Sequence, residues 1–250
     1  MSSASSTPSS IEFEHVMYRA GTGAGILHDL TLSVRPGETI VLLGRSGSGK
    51  TTTLKLVNRL LEPSSGRVSV EGASTLEWNP IRLRRHIGYV IQEVGLFPHF
   101  TIAENVALVP SLEGWPRERI EGRVREMLGL VGLAPADFGG RYPDELSGGQ
   151  RQRVGVARAL AAEPSILLLD EPFGALDPIT RREIRGEFRL LRDRLDITMV
   201  FVTHDVAEAF VLADRIGLMK DGTLVACLPP DEFRALEAPE ARLFLETLDG

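Results

Sequence analysis

A short apolar run, Thr39-Ile40-Val41-Leu42-Leu43, leads directly into Gly44-Arg45-Ser46-Gly47-Ser48-Gly49-Lys50-Thr51. From Thr52 to Leu61, Leu54, Val57, Leu60 and Leu61 then recur at helical spacing before Pro63. Buried strand, glycine loop and helix in that order are the setting of a phosphate loop, and every fixed position of G-x-x-x-x-G-K-[ST] is met. Glycines let the backbone curl around phosphate oxygens with no Cβ in the way. Lys50 brings a point charge to the β/γ-phosphates, and the Thr51 hydroxyl can ligate Mg²⁺. The plainer alternative is a glycine turn beside a solvated lysine, which leaves the flanking strand and helix unexplained.

Two further features extend this half-site. The run Ile166-Leu167-Leu168-Leu169 closes on Asp170, so it delivers a carboxylate to the C-terminal edge of a buried strand, a place for a second Mg²⁺ ligand. Glu171 follows it and can orient or deprotonate an attacking water; elsewhere such a glutamate before Pro172 would be an exposed charge opening a turn. Upstream stands Leu146-Ser147-Gly148-Gly149-Gln150, a second glycine-bearing turn at a helix start, which offers another set of backbone N–H groups to phosphate.

With these three motifs in order, the chain resembles the nucleotide-binding subunit of ATP-binding cassette (ABC) transporters over nearly its whole length. The resemblance implies that Gly44, Arg45, Ser46, Gly47, Ser48, Gly49, Lys50, Thr51 and Thr52 hold ATP. It also implies that Thr51, Asp170 and Gln92 hold Mg²⁺, and that Glu171 and His204 serve hydrolysis. Tyr18 looks like the aromatic on which adenine stacks; the alternative for a lone aromatic at a strand end is a place in the core or on the surface. Gln92, in Gly88-Tyr89-Val90-Ile91-Gln92, looks like the family's glutamine that reaches metal and water from a flexible loop. His204 ends the β-branched run Ile197 to Thr203 and resembles the histidine at the γ-phosphate. Asp177, in Gly174-Ala175-Leu176-Asp177, resembles the loop that crosses between subunits.

In this family two subunits pack head to tail. Ser147, Gly148, Gly149 and Gln150 are therefore expected to close the ATP held by a second copy's phosphate loop, in an isologous homodimer with two competent sites.

Composition narrows the alternatives. At 250 residues the chain suits one large α/β domain. A formal charge of −6 and a pI near 5.5 give no basic footprint for nucleic acid. The single cysteine, Cys227, excludes an internal disulfide and a cysteine zinc cluster. Residues 1 to 10 are serine-rich, without a signal-peptide pattern, and are expected to be disordered. No apolar run is long enough to span a membrane.

The expected fold is α/β: a phosphate-loop NTPase core with a mixed sheet, N-terminal antiparallel strands and an inserted helical subdomain. Strands are expected at Ile11 to Met17, Ile26 to Val34, 39 to 43, Val68 to Val70, Ile87 to Ile91, 165 to 170, 197 to 203, 215 to 220 and 223 to 228. Asp221-Gly222 is a hairpin signal joining the last two. The ATPase domain then runs from 11 to 228, with its helical subdomain over about 93 to 162. Residues 229 to 250 form a short helical tail, with no room for an appended regulatory domain.

The stretch Glu93 to Phe100 is apolar and aromatic, which suits a partner surface; the alternative is packing on the chain's own helices. The strings Thr51 to Gly66, Ile87 to Gln92 with Gly95 to His99, and Phe173 to Thr180 look like those of importer ATPases for glycine betaine, choline and related quaternary amines. The resemblance thus implies an ATP-hydrolysing subunit at the cytoplasmic face of the membrane, peripheral through permease subunits and served by an extracytoplasmic substrate-binding protein. Another importer, an exporter or lipid-trafficking system, and a soluble ABC ATPase are the alternatives. The last usually carries long heptad arms, zinc cysteines, basic tracts or two cassettes in one chain, and none of these is present.

Overall fold

The computed structural model describes residues 9–248 apart from Thr22 and Glu93. Residues 1–8 of the start expected to be disordered lie outside the described residues. Ser10 is tied in: its N–H donates to Val34 at 2.8 Å and its carbonyl accepts from Glu71 at 2.9 Å. The chain divides into two compact units, one made of residues up to Arg84 together with those from Ile197 onward, the other of Arg85–Asp196.

The first unit opens with β1 (Ile11–Arg19), β2 (Gly25–Val34), β3 (Thr39–Leu43), α1 (Lys50–Val57), β4 (Ser65–Val70) and β5 (Ala73–Ser74), and α2 (Pro80–His86) ends this stretch. The second contains β6 (Ile87–Val90), α3 (Ile102–Leu112), α4 (Arg117–Leu130), α5 (Pro135–Phe138), a 3-10 turn at Pro143–Glu145, α6 (Gly148–Leu160), β7 (Ile166–Asp170) and α7 (Pro178–Arg192). The chain then re-enters the first unit through β8 (Thr198–Thr203), α8 (Val206–Leu212), β9 (Arg215–Lys220), β10 (Thr223–Leu228), α9 (Pro230–Arg234) and α10 (Pro239–Leu245).

Antiparallel strands run in the order β2-β1-β4-β5. On β1, Ile11 and Phe13 are buried while Glu12 and Glu14 are exposed, the alternation of a sheet with one face on the core. The register slips after Phe13, where His15 takes φ 49°. In the other strand set β3 runs parallel to both β8 and β9, and β10 turns back antiparallel on β9. All five residues of β3 are buried, as the interior of a parallel sheet requires. Asp221 and Gly222 have φ 46° and 78°, the paired positive values of a type I′ hairpin turn.

In the second unit β6 and β7 pair in parallel, Ile87 opposite Ile166 and Val90 opposite Leu169. Helices α3, α4 and α6 pack on one another through stripes such as Val124, Met127 and Leu128 of α4 and Val154, Ala157 and Leu160 of α6. This unit takes in β6, β7 and α7 as well as the helices expected between 93 and 162. On α7, Ile184, Phe188 and Leu191 form the buried stripe, and Phe188 meets Phe173 edge to face at 5.8 Å.

Two helices are shorter than the apolar spacing suggests. Helix α1 stops at Val57, because Arg59 turns left-handed at φ 52° and the N–H groups of Leu60 and Leu61 fold back onto Lys55 O at 2.9 and 3.0 Å. Both hydrogen bonds close on that one helix-end carbonyl, so Leu60 and Leu61 belong to the closing turn. Likewise Leu195, which continues the apolar spacing of Ile184, Phe188 and Leu191, lies beyond α7, which caps at Asp193.

Asn105 anchors the loop before α3. Its side chain, 0% exposed, accepts from Phe97 N at 2.8 Å and donates to the carbonyls of Phe97, Phe100 and Thr101. Replacement by alanine strands these buried groups. Asn105→Ala is expected to lower stability by about 1–3 kcal/mol, read as a shift in the urea midpoint.

Candidate nucleotide site

The phosphate loop begins where β3 ends. Lys50 folds back so that Nζ donates to Gly44 O at 2.7 Å and Arg45 O at 2.9 Å, and Ser48 N also donates to Arg45 O at 3.2 Å. A loop with its ammonium turned inward carries the charge where phosphate would enter. Gly49 starts α1 at φ 100°, and a Cβ there would lie 2.6 Å from Leu27 Cδ2. Gly44 is as constrained by contact: an added Cβ would stand 2.4 Å from Met219 O. Thus the motif's glycines are required by close packing as well as by the ligand. The buried Ser48 Oγ has no hydrogen-bond partner among the described residues, which leaves a hydroxyl inside the loop suited to an anion or the shell of a cation. Thr51 and Thr52 follow in the first turn of α1, a turn that carries no acidic residue and whose N-terminal dipole favours an anion.

Strand register sets the neighbours of this loop. Leu43 is level with Thr203 of β8 and Leu218 of β9. Gly44 and the exposed His204 therefore leave adjacent parallel strands at their C-terminal ends, the edge at which open α/β sheets bind ligands. Thr203 Oγ1 holds that exit, accepting from Asp205 N at 2.9 Å and donating to the buried Glu208 at 2.6 Å, while Asp205 caps α8. Tyr18 lies near the end of β1, opposite Leu27 and partly exposed.

In the second unit, the register of β6 with β7 puts Gln92 and Asp170-Glu171 at neighbouring strand exits. Gln92 is exposed in a turn. The segment after it, Val94 at φ 27° and Gly95 at φ 57°, is fastened by Arg158 of α6, which donates to both carbonyls. Asp170 is buried, and the Tyr89 hydroxyl donates to its Oδ2 at 3.3 Å. Burial first, then the charge of Asp170 and the hydrogen bond to it, push the Tyr89 phenol well above the usual tyrosine range. Glu171 takes the left-handed φ of 45°, with its carbonyl accepting from Gly174 N at 3.0 Å. A non-glycine residue there is strained by about 1–2 kcal/mol, and such strain concentrates at functional positions.

Ser147 is the N-cap of α6. Its Oγ accepts from Gln150 N at 3.2 Å and Gln150 Oε1 accepts from Ser147 N at 2.9 Å, a complete capping box. Ser147 and Gly148 are exposed, Gly149 is buried, and no acid stands in the first turn, so this helix start presents an electropositive end to the surface. Asp177 caps α7 by accepting from Ile179 and Thr180 N–H, both at 3.1 Å; a side-chain hydrogen bond with Thr180 first, then these backbone bonds, lower its carboxyl pKa. The residue expected at an intersubunit loop therefore has a structural role within its own chain as well.

The loop running to Phe100 is packed on the chain's own helix through its backbone and leaves part of its aromatic surface exposed. Glu93 lies outside the described residues. From Phe97 on, the backbone is bound to Asn105, while the Phe97 ring is 41% exposed and clusters with His99 and Phe100. Tyr89, Asn105 and Arg158 escaped the sequence reading, since each acts through a partner distant in the chain or in a loop without periodicity. Among the described residues no group of three His, Cys, Asp or Glu could hold a metal ion by itself. Mg²⁺ takes one or two carboxylates and completes its shell with phosphate and water, and Asp170 is a carboxylate at the end of a buried strand.

Residues 27–174 match the family model described as ABC transporter. The chain belongs to the ABC transporter family. Its solved relatives include the dimeric post-hydrolysis state of an ATP-binding cassette bound to ADP and Pi, with a TM-score of 0.77 and 33% identity over 88% of this chain and 98% of that one. Curated relatives include a glycine betaine/carnitine/choline transport ATP-binding protein of Bacillus subtilis, 54% identical over 94% of this chain and 60% of that protein. An osmoprotectant import ATP-binding protein of Salmonella typhimurium is 50% identical over 85% of this chain and 56% of its own length. The ABC chain thus spans roughly 60% of the length of the first curated relatives it matches.

The Tyr89–Asp170 contact yields a pH prediction. The fold raises the phenol pKa, so the contribution to stability is intact below the ordinary tyrosine value of about 10 and is lost as pH climbs through the raised value. Wild-type stability should fall across that alkaline window more steeply than that of Tyr89→Phe, as measured by urea melts at successive pH values. Identical slopes would show that the fold does not raise the phenol pKa.

Proposed function

We propose that the chain is the ATP-hydrolysing subunit of an ABC importer for glycine betaine, choline and related quaternary amines. The observation that carries the chemistry is the phosphate loop, with Lys50 turned inward and His204 one residue past the strand paired with β3. The cargo reading is supported by relatives at about half identity, which are named as transport proteins for glycine betaine, carnitine, choline and osmoprotectants.

In this reading the loop's N–H groups and Lys50 take the β/γ-phosphates, and Tyr18 stacks on adenine. Thr51, Asp170 and Gln92 would hold Mg²⁺, which supplies neutralisation of charge on the transferred phosphoryl group. Tyr89 keeps one Asp170 oxygen engaged and so fixes how the carboxylate is presented. Glu171 accepts the proton of water as its oxygen attacks the γ-phosphorus, the bond to the ADP oxygen breaks, and His204 donates a hydrogen bond to the γ-phosphate. Ser147, Gly148, Gly149 and Gln150 of a second copy close the nucleotide, and Asp177 lies at the junction of the copies. Closure and reopening of this homodimer drive permease subunits, with Phe97 in the docking loop. A substrate-binding protein supplies the cargo, and the subunit works at the cytoplasmic face of the membrane. No helix among the described residues is long and apolar enough to cross one.

Two experiments test this. In cells lacking redundant importers, Lys50→Ala should abolish uptake of labelled glycine betaine and choline while sparing an unrelated amino acid and a polyamine. Unchanged uptake of all four would discard the cargo. In sedimentation, Glu171→Gln with MgATP should run as a dimer, because closure persists when the water is not activated; a monomer at saturating nucleotide would contradict the trans-closed site.

A further inference from the structure

The C-terminal helix reaches the phosphate loop. Glu240, in the first turn of α10 with its side chain only 10% exposed, pairs with Arg45 of the loop at 2.9 Å and with Lys220 at the end of β9 at 3.3 Å. Its neighbour Ala241 is fully buried, so the carboxylate is presented from a helix fixed by packing. Arg45 is the loop residue whose carbonyl receives both Lys50 Nζ and Ser48 N. Its side chain therefore anchors the residue on which the loop closes. A second tie comes from the β9–β10 turn, where Gly222 N donates to Ser48 O at 3.2 Å.

We propose that Glu240 is a positioning residue for nucleotide binding: through Arg45 it braces the phosphate loop, making α10 a working part of the nucleotide site. The inference rests on the nucleotide reading above. Backbone donors bind phosphate best when their orientation is fixed beforehand. A paired carboxylate at Arg45 restrains a loop whose Arg45, Ser46 and Gly47 are otherwise exposed. Neutralising Glu240 removes the anchor at Arg45 while leaving every residue of the phosphate loop unchanged.

The test is a double-mutant cycle read by titration with mant-ATP and magnesium. Glu240→Gln and Arg45→Gln should each weaken binding about fivefold, and the double variant should be no weaker than either alone. Lys220→Gln should stay within about twofold of wild type, which separates bracing of the loop from simple attachment of the tail. Thermal midpoints of the variants report whether the fold is intact; if Glu240→Gln melts early, Glu240→Asp, which keeps the charge and shortens its reach to Arg45, is read in its place and should also weaken binding. Additive losses for the two substitutions, or unchanged affinity in Arg45→Gln, would overturn the brace. A folded wild-type chain that binds no mant-ATP would overturn the nucleotide reading and the brace with it.

Discussion

Parallel pairing on both sides of β3 is the constraint on which the first unit depends. Each residue from Thr39 to Leu43 is buried, with β8 on one side and β9 on the other. The phosphate loop starts on the next residue. Its geometry is inherited from the strands: Met219 O on β9 leaves no room for a Cβ at Gly44, and Leu27 on β2 leaves none at Gly49. Since β8 ends level with β3, His204 emerges beside the loop without any sequence proximity to it. All six residues of β8 are buried, so a one-residue slip, which would turn every side chain on it to the opposite face, would disturb the packing on both faces and move His204 off this position.

The second unit repeats the device. Its strands β6 and β7 also end together, and that places Gln92 near Asp170 and Glu171. Here the exits are shaped by side chains from elsewhere: Tyr89 on Asp170, Arg158 on the carbonyls after Gln92. Helix starts are put to repeated use. The N-termini of α6 and α7 are both closed by their own side chains, Ser147 with Gln150 and Asp177 alone. In the proposed dimer the same turns face a neighbouring copy, so the capping that stabilises each helix also fixes the turn that is offered in trans.

Legibility in the sequence followed the range of the interactions. The glycine loop, Asp170-Glu171, the serine–glycine turn and the Asp221-Gly222 hairpin could be read because their chemistry lies within a few consecutive residues. Capping signals of the same range were also present: Thr101 with Glu104 forms a capping box, and Asp177 before Pro178 is an N-cap pattern. Helix lengths were less legible. Apolar spacing carried α1 past Val57, yet Arg59 turns left-handed and the leucines serve the closure. Tyr89, Asn105 and Glu240 were not legible at all, since their roles come from partners brought near by the fold; in Glu240 the partner is nearly two hundred positions away, at Arg45.

The central claim is that one chain carries two half-sites that meet only between copies. Subunit complementation tests it most directly. Lys50→Ala and Ser147→Arg chains, each inactive alone as an ATPase, are mixed and allowed to exchange. A heterodimer then pairs an intact phosphate loop from one chain with an intact serine–glycine turn from the other, and hydrolysis should return in the mixture. Two folded, exchanging variants that stay inactive when mixed would contradict the account, and so would Ser147→Arg chains that hydrolyse ATP by themselves.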